Sequence, residues 1–368
     1  MSNRNIYLQL VENRSDLVAR FANVRRIDPQ GGSGVFSLVF LAEDSVTGQA
    51  VALKFYNPDR RNPADAYRWE CFDREARVLA HLRGQADIVQ LVADRAEFVE
   101  SIPTSVGLSL DITFAYFGME RAETDVATKV ANHTWTIDQT LRAFHDICRA
   151  VQRIHLRQLV HRDLKPSNFL VMPSGKIKLS DFGTARFLDG SEPPLLINYD
   201  RIPGDMRYAA PEIFAGLHDV DPRYAFKADV FSLGTILFEM LTGVNLGVHV
   251  FGPPLLTAFA NHMMVVPRAD RPSVYEQIVA NISAANPLPS ITAFAPLIPA
   301  SIRSIVDQLY RGMCNFDYRA RNCDFNSIFR HIDACVLILN NEVKYRRWQE
   351  EKRKRRLARL AKGKGVTT

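Results

Sequence analysis

The sequence His161-Arg-Asp-Leu-Lys-Pro-Ser-Asn168, with Asp181-Phe-Gly183 following thirteen residues after it, decides how this chain is interpreted. Phosphoryl transfer requires a carboxylate that orients and deprotonates the attacking hydroxyl, together with oxygen ligands for the magnesium ion on the triphosphate. Asp163 fits the first role. Asn168 and Asp181 fit the second, because both side chains offer oxygen atoms to the metal. The two motifs therefore predict a site that moves a phosphoryl group.

A lysine within the first motif extends this prediction. Lys165 follows Asp163 by two residues and can reach the transferring phosphoryl group, where it offsets negative charge. The two motifs and their spacing resemble the eukaryotic-type protein kinase family, and a lysine at this position resembles its Ser/Thr class. The resemblance covers roughly residues 20–337. It implies an enzyme that uses ATP with Mg²⁺ or Mn²⁺ and phosphorylates Ser or Thr hydroxyls of a protein substrate.

A glycine-containing loop lies near the start of the resemblance. Gly32-Ser-Gly34-Val-Phe36-Ser-Leu-Val39 resembles the glycine-rich loop of the family, with Ser37 in place of the third glycine. Glycine lets backbone N–H groups approach phosphate oxygens because it has no Cβ. The loop precedes a predicted strand hairpin over residues 35–56 that turns at Thr47-Gly48. The resemblance implies that Gly32 and Gly34 contact ATP.

The second strand of that hairpin carries the sequence Val51-Ala-Leu-Lys54. Lys54 resembles the family lysine that holds the α- and β-phosphates and pairs with a glutamate on the following helix. Glu75 is the expected partner, and Glu70 is the competing one. Glu75 is favoured because Leu79 then follows one helical turn later, on the face expected to pack against Phe182.

The adenine pocket is assigned by resemblance alone. Val39 and Ala52 are expected to cover one face of the ring, and Leu170 the other. Met119 is expected at the back of the pocket, and Glu120 to Ala122 form the hinge whose backbone contacts the adenine edge. Plain core packing is the alternative role for the apolar residues of this set.

Further matches lie downstream of the catalytic motifs. Tyr208-Ala-Ala-Pro-Glu212 resembles the end of the family's activation segment. Its glutamate is expected to form a buried ion pair with Arg321. Asp229 resembles the aspartate that anchors the catalytic loop from below.

Three positions depart from the family pattern. Phe231 replaces the usual Trp and Tyr318 the usual Pro, and both substitutions are compatible with repacking. The third departure is Gly204-Asp205, where Gly-Thr is usual in Ser/Thr kinases. A carboxylate there is expected to add like charge near Asp163 or to compete for Lys165.

The activation segment offers few hydroxyl groups for regulation. Arg162 precedes the predicted base, and such an arginine usually receives a phosphate on this segment in the family. Ser191 and Tyr199 are the candidate phosphosites. Four acids could instead give Arg162 a permanent partner: Asp189, Glu192, Asp200 and Asp205. We therefore expect activity without phosphorylation of this segment.

The net charge of +6 is concentrated in a tail. Between Lys344 and Lys364 there are eleven Lys and Arg residues against Glu350 and Glu351, so the tail carries +9 and the rest of the chain −3. The tail predicts a surface that binds an acidic partner, nucleic acid or an anionic surface, or else a solvated disordered end. The Lys352–Arg356 cluster also resembles a nuclear import signal.

Cysteine spacing and hydropathy bear on location. The five cysteines, at positions 71, 148, 314, 323 and 335, show no CxxC spacing, which argues for a reducing compartment without a disulfide framework or zinc site. No stretch approaches the ~18 apolar residues of a membrane-spanning helix, and the N-terminus lacks the apolar run of a secretory signal. An intracellular, cytoplasmic location is expected, or a nuclear one if the chain is eukaryotic.

The order of the elements predicts an α+β, bilobal protein kinase fold, with a small lobe of antiparallel sheet plus one helix and a large helical lobe. Strands are also expected at Ile88–Ala93 and Ile112–Met119, and residues 243–300 are expected to form loops with short helices. Helices are predicted over residues 64–83, 137–157, 226–242, 301–313 and 324–340. The expected boundaries are an N-terminal extension at 1–19, the small lobe and hinge at 20–123, the large lobe at 124–337 and the basic tail at 338–368.

Three other classes of function are left open by the sequence. A pseudokinase would keep the fold without catalysis, and the acid at position 205 is its main support. A small-molecule phosphotransferase shares the Asp, Asn and Asp chemistry but lacks the Tyr208–Glu212 segment and Arg321. A nucleic-acid-binding or acidic-partner-binding protein is suggested by the tail alone.

Overall fold

The computed structural model describes residues 10–11, 16–27, 37–58, 65–103, 108–190, 204–219, 221, 223–250 and 253–363. They form two lobes, a small one built on a β-sheet and a large one built from helices. The predicted α+β bilobal fold is confirmed.

The small lobe is a six-stranded antiparallel sheet. Its strands are β1 Asp16–Leu17, β2 Phe21–Arg26, β3 Ser37–Asp44, β4 Gln49–Tyr56, β5 Leu91–Pro103 and β6 Ser109–Glu120. They lie in the order β1-β2-β3-β4-β6-β5. Strands β3 and β4 form the predicted hairpin, and Gly48 takes a positive φ of 68° at its turn. Along β3, Leu38, Phe40 and Ala42 are buried, because side chains two residues apart share one face of a strand.

Helix α1 Asp65–His81 packs beside the sheet and confirms the helix predicted over residues 64–83. Phe72, Ala76 and Leu79 are buried along one face, as the three- and four-residue spacing predicted. Leu79 belongs to the same core cluster as Phe182, so the helix face that carries Leu79 is turned toward the Asp-Phe-Gly motif.

The large lobe is organised around a central buried helix. Its helices are α2 Val126–Ala131, α3 Ile137–His155, α4 Pro211–Phe214, α5 Tyr224–Thr242, α6 Leu246–Val250, α7 Pro253–Val265, α8 Arg271–Ala285, α9 Ile291–Phe294, α10 Ala300–Met313 and α11 Phe325–Gly363. A capping box between Thr136 and Gln139 starts α3. Helix α5 is buried around most of its circumference, which fits its position in the centre of the lobe.

Short strands flank the catalytic motifs at the border of the two lobes. They are β7 Thr124–Asp125, β8 Leu159–Val160, β9 Phe169–Val171, β10 Ile177–Leu179 and β11 Arg186–Phe187. They form one small sheet in the order β10-β9-β7 and one pair, β11-β8.

Three sequence-based boundaries differ from the structure. Strand β5 begins at Leu91 rather than at the predicted Ile88, which forms only an isolated bridge to Leu179, and it runs past the predicted Ala93 to Pro103. Strand β6 begins at Ser109, before the predicted Ile112, because backbone pairing continues where charged residues interrupt the apolar alternation. Residues 243–300, predicted as loops with short helices, contain α7 and α8, which have thirteen and fifteen residues. The predicted extension 1–19 contributes Val11 and Leu17 to the small-lobe core.

Helix α11 also runs past its predicted end at residue 340 and continues to Gly363 as one helix of 39 residues. The predicted lobe boundary at 337/338 therefore falls inside a helix, and the basic tail is helical up to Gly363 rather than disordered. Lys, Arg, Glu and Ala are strong helix formers, which explains why the helix continues after the buried residues end. No described helix is both long enough and apolar enough to cross a membrane.

Candidate active site

The β9–β10 hairpin brings the two predicted metal ligands together. Phe169 pairs with Leu179 in this antiparallel ladder, so residues just before β9 and just after β10 meet at one end. The Asn168 carbonyl accepts hydrogen bonds from the Ser180 N–H and the Ser180 hydroxyl, each at 2.9 Å. Asp181, the next residue, is thereby held beside Asn168.

The predicted base lies in a short network with its neighbours. Lys165 Nζ donates to Asp163 Oδ2 at 2.8 Å, and Asn168 Nδ2 donates to the Asp163 carbonyl at 2.8 Å. Burial raises the pKa of Asp163 above its ordinary value, although the Lys165 charge opposes this shift. Burial would lower the pKa of Lys165, but the charge and hydrogen bond of Asp163, together with the charges of Asp181 and Asp205, outweigh it and leave that pKa raised.

Asp229, on the central helix α5, fixes the backbone that precedes Asp163. Its Oδ2 accepts from the His161 N–H at 2.9 Å and its Oδ1 from the Arg162 N–H at 3.0 Å. His155 Nε2 lies 2.9 Å from the same Oδ2. Arg162 has a positive φ of 70°, which is costly for a non-glycine residue, and the Asp229 bonds hold it there. The predicted anchoring role of Asp229 is confirmed.

Lys54 joins the small lobe to the Asp-Phe-Gly motif. Its Nζ lies 2.5 Å from Glu75 Oε2 and 3.2 Å from Asp181 Oδ1. Glu75 is therefore the ion-pair partner, as predicted, and Glu70 is not. Burial raises the pKa of Glu75 to about 7 against the lowering effect of the Lys54 charge. Burial would also raise the pKa of Asp181, but the charges of Lys54 and Lys165 outweigh it and lower that pKa.

The residues predicted to enclose adenine lie on three neighbouring interior strands of the small-lobe sheet, β3, β4 and β6, and on β9. In the register, Val39 is opposite Lys54, and Ala52 is opposite Met119. Ala52 and Met119 are buried. Val39 in β3 and Leu170 in β9 are only half-buried, as expected of side chains that line a cleft.

The predicted hinge continues from β6. The Glu120 carboxylate accepts hydrogen bonds from the Gln90 N–H at 2.7 Å and from Lys178 Nζ at 2.6 Å. Glu123 N–H donates to the Val171 carbonyl at 2.9 Å. Between these two fixed points, the backbone of Ala122 has no hydrogen-bond partner in the described part of the chain. Its N–H and carbonyl are thus available to a planar ligand edge.

The family model for the protein kinase domain matches residues 26–331, which is more than four fifths of the chain. The chain belongs to the protein kinase domain family. The sequence resemblance is thereby confirmed.

Curated relatives of this kinase domain are themselves named as protein kinases. Mitogen-activated protein kinase kinase kinase 5 of Arabidopsis thaliana is 31% identical over 217 residues, which cover 58% of this chain and 28% of that protein. Mitogen-activated protein kinase HOG1 of Phaeosphaeria nodorum is 30% identical over 235 residues, 64% of this chain and 57% of that protein. CBL-interacting protein kinase 11 of Oryza sativa subsp. japonica is 28% identical over 241 residues, which cover 64% of this chain and 42% of that protein. The chain thus spans well under two thirds of the length of these relatives.

The buried ion pair predicted for the kinase large lobe is present. Arg321 Nη1 lies 2.5 Å from Glu212 Oε1, and Arg321 Nη2 donates to Glu212 Oε2 at 3.0 Å. Both side chains have zero solvent exposure. Tyr318, which stands at the family's usual proline, donates its hydroxyl to Glu276 Oε1 at 2.6 Å. Phe231, in place of the usual Trp, packs under the Arg321 guanidinium at 5.1 Å.

The expectation for Asp205 is wrong in its geometry. Among the described contacts its carboxylate makes no hydrogen bond to Lys165 or Asp163, because Arg207 holds it through three hydrogen bonds. Its charge still helps to raise the pKa of Lys165, as the sequence led us to expect. Only the Asp205 backbone contacts the site, since its N–H donates to Asp163 Oδ1 at 2.7 Å. The sequence-based prediction took account of the charge of Asp205. It missed the backbone hydrogen bond to Asp163 and the hydrogen bonds from Arg207.

Two more positioning contacts escaped the sequence analysis. Arg74, next to Glu75 on α1, donates to the Gly183 carbonyl at 3.0 Å and so ties the helix to the Asp-Phe-Gly motif. The Thr184 hydroxyl donates to the His161 carbonyl at 3.0 Å. Neither residue belongs to a periodic pattern that would have singled it out. Gly32, Gly34, Ser191 and Tyr199 lie outside the described residues.

Proposed function

We propose that this chain is a protein Ser/Thr kinase that transfers the γ-phosphoryl group of ATP to a hydroxyl of a protein substrate. The observation that carries the proposal is the pairing of Lys54 with both Glu75 and Asp181, at 2.5 and 3.2 Å. This pairing joins the lysine assigned to the phosphates with the carboxylate assigned to the metal. The kinase names of the curated relatives support the same activity.

Asp163 is proposed to orient the acceptor hydroxyl and to take up its proton as the oxygen attacks phosphorus. Its side chain is 11% exposed, so it reaches the cleft while most of it is shielded from water. Lys165, which donates to Asp163 Oδ2, is proposed to offset the charge on the transferring phosphoryl group. The lysine at this position supports Ser/Thr rather than Tyr acceptors.

The donor set of Asn168 and Asp181 fits Mg²⁺ or Mn²⁺. The Asn168 side-chain N–H₂ is occupied by the Asp163 carbonyl, which leaves its Oδ1 as the atom offered to a cation. The Asp181 side chain is 43% exposed, and Lys54 is bonded to only one of its oxygens. Oxygen donors of this kind are those that Mg²⁺ and Mn²⁺ prefer. When bound, the metal neutralises charge on the phosphates.

ATP is proposed to lie between the lobes. The free backbone groups of Ala122 match the hydrogen-bonding edge of adenine, and the half-buried Val39 and Leu170 match its two faces. Lys54 is proposed to hold the α- and β-phosphates, with Glu75 setting its position. Gly32 and Gly34 stay predicted phosphate contacts.

The pseudokinase alternative has lost its main support. It rested on a carboxylate at position 205 disturbing the base, but that carboxylate is bound to Arg207. The basic part of α11 stays a predicted surface for an acidic partner, nucleic acid or an anionic surface. Lys344 and Arg347, together with the run Lys352–Arg355, are exposed on it.

The test is phosphate transfer by the purified chain from labelled ATP and Mg²⁺ to a library of Ser, Thr and Tyr peptides. Asp163→Asn should abolish transfer, because the base is lost. Asp94→Asn is the matched control, since this exposed carboxylate on β5 pairs only with the surface residue Arg83 among the described residues. Equal transfer by the wild type and Asp163→Asn would contradict the assignment. A wild type that transfers nothing would favour the pseudokinase.

A further inference from the structure

The segment that follows Gly204 runs in direct contact with the catalytic loop. Gly204 has a positive φ of 82°, and a Cβ there would lie 2.4 Å from the Arg162 carbonyl oxygen and 3.0 Å from Asp163 Oδ1. Only glycine can take this conformation at this distance. The next residue, Asp205, donates its backbone N–H to Asp163 Oδ1 at 2.7 Å. The Asp205 carboxylate is therefore tethered within one side-chain length of the proposed base.

Arg207 turns that carboxylate away. The Arg207 N–H and Nε each donate to Asp205 Oδ1 at 3.0 Å, and Nη2 donates to Oδ2 at 2.6 Å. The Asp205 side chain is 18% exposed and the Arg207 side chain 59%. Burial raises the pKa of Asp205, but the Arg207 bonds and charge outweigh it and keep that pKa low. The carboxylate is thus ionised and needs a permanent partner.

The Asp205–Arg207 unit is encoded locally. The same Asp-x-Arg arrangement occurs at Asp221–Arg223 and at Asp317–Arg319. In each, the arginine N–H donates to Oδ1 of the aspartate at 2.9 Å, and the guanidinium binds the carboxylate at 2.6 to 3.0 Å. Neither of these two aspartates contacts the Asp163 region in any described hydrogen bond. The arrangement therefore forms at each of the three described positions with this spacing, and among these it lies against the catalytic loop at 205 alone.

We propose that Arg207 is a positioning residue that holds the Asp205 carboxylate out of the phosphoryl-transfer site. Without Arg207, the tethered carboxylate would be free to bind Lys165 Nζ, which now donates to Asp163 at 2.8 Å. It would also place a second negative charge beside Asp163. The Asp205 backbone N–H would serve the site in either case. The inference rests on the kinase function proposed above.

The test compares kcat and peptide KM for the wild type, Arg207→Ala, Asp205→Asn and the double variant. Arg207→Ala should lower kcat about tenfold, with peptide KM near the wild-type value. Asp205→Asn together with Arg207→Ala should restore kcat to within about threefold, because no carboxylate is then released. Arg223→Ala, which breaks the same unit at Asp221, is the matched control and should keep the wild-type kcat.

Each result decides between the proposal and its rejection. An Arg207→Ala variant with wild-type kcat rejects it. So does a double variant as slow as Arg207→Ala, which would give Arg207 a role independent of Asp205. A raised peptide KM at unchanged kcat would assign Arg207 to the substrate instead. If Arg207→Ala fails to fold by circular dichroism, Arg207→Gln is assayed on the same criteria. An inactive wild type rejects the kinase function and this inference together.

Discussion

Arg321→Ala is the perturbation whose cost is best defined by the structure. The guanidinium uses all five of its N–H donors. Two go to the Glu212 carboxylate, two to the Asn315 carbonyl and one to the Lys227 carbonyl. Its plane also lies over the Phe231 ring. Truncation leaves the Glu212 carboxylate without its charged partner in a position that water does not reach.

The expected loss of stability follows from that burial. Removing one partner of a fully buried ion pair costs roughly 3–5 kcal/mol, because the other charge stays desolvated without compensation. For a domain of this size, such a loss corresponds to a fall in Tm of roughly 5–8 °C. Arg142→Ala supplies the contrast. It breaks the Asp138–Arg142 pair on the surface of α3, where the arginine is 53% exposed, and should cost about 0–1 kcal/mol.

The assay is urea unfolding followed by circular dichroism, with a thermal melt as a second measurement. Glu212→Ala, Arg321→Ala and the double variant complete a double-mutant cycle. The double variant should lose less than the sum of the single losses, because neither charge is then left alone. If both single variants unfold within 1 kcal/mol of Arg142→Ala, in the range that surface pairs span, the buried pair does not stabilise the lobe and the reasoning fails.

Three other predictions concern activity. Lys54→Met and Asp181→Ala should each reduce transfer by ~10²–10³-fold or more while circular dichroism shows that the fold is kept; near-normal kcat in either would remove the assigned roles. Because burial raises the pKa of Glu75 to about 7, this carboxyl ionises and pairs with Lys54 as the pH rises through that value, so kcat/KM should increase between about pH 6 and 8. A flat profile over that interval would contradict it. Enzyme stripped by phosphatase should keep most of its activity; a loss of more than about tenfold that is reversed by phosphate on Ser191 or Tyr199 would identify a phosphorylation switch.

The parts of the fold that the sequence predicted are those where local pattern and tertiary packing agree. The β3–β4 hairpin is one example, because its alternation and its turn both fit a half-buried sheet. Helix α1 is another, and the position of Leu79 on it correctly selected Glu75 over Glu70 as the partner of Lys54. The Glu212–Arg321 pair, 109 residues apart, was found only through resemblance, since nothing local links the two positions.

The errors have equally specific causes. Apolar periodicity located the start of α11 but not its end, because the segment beyond Asn341 is helical by intrinsic propensity rather than by burial. The outer halves of β5 and β6 were missed, because they pair through the backbone while one face is exposed and the other is only partly buried. The direction of the Asp205 carboxylate depended on the arginine two residues later, which lies in no kinase motif.

Helix α11 fixes the direction in which the basic side chains project from the large lobe. Ile328, Ile332, Cys335 and Leu339 bury the first part of this helix in the large lobe, and the same helix then continues without interruption. A helix turns by about 100° and rises about 1.5 Å per residue, so Arg355 lies about 24 Å beyond Leu339 along the axis. Two extra alanines after Asn341 would rotate the exposed basic side chains by about 200° without changing the charge, whereas seven would return them to within about 20°. A partner bound to that segment would therefore be held in one orientation relative to the catalytic cleft, and the rotation of the helix between Leu339 and the basic residues sets that orientation.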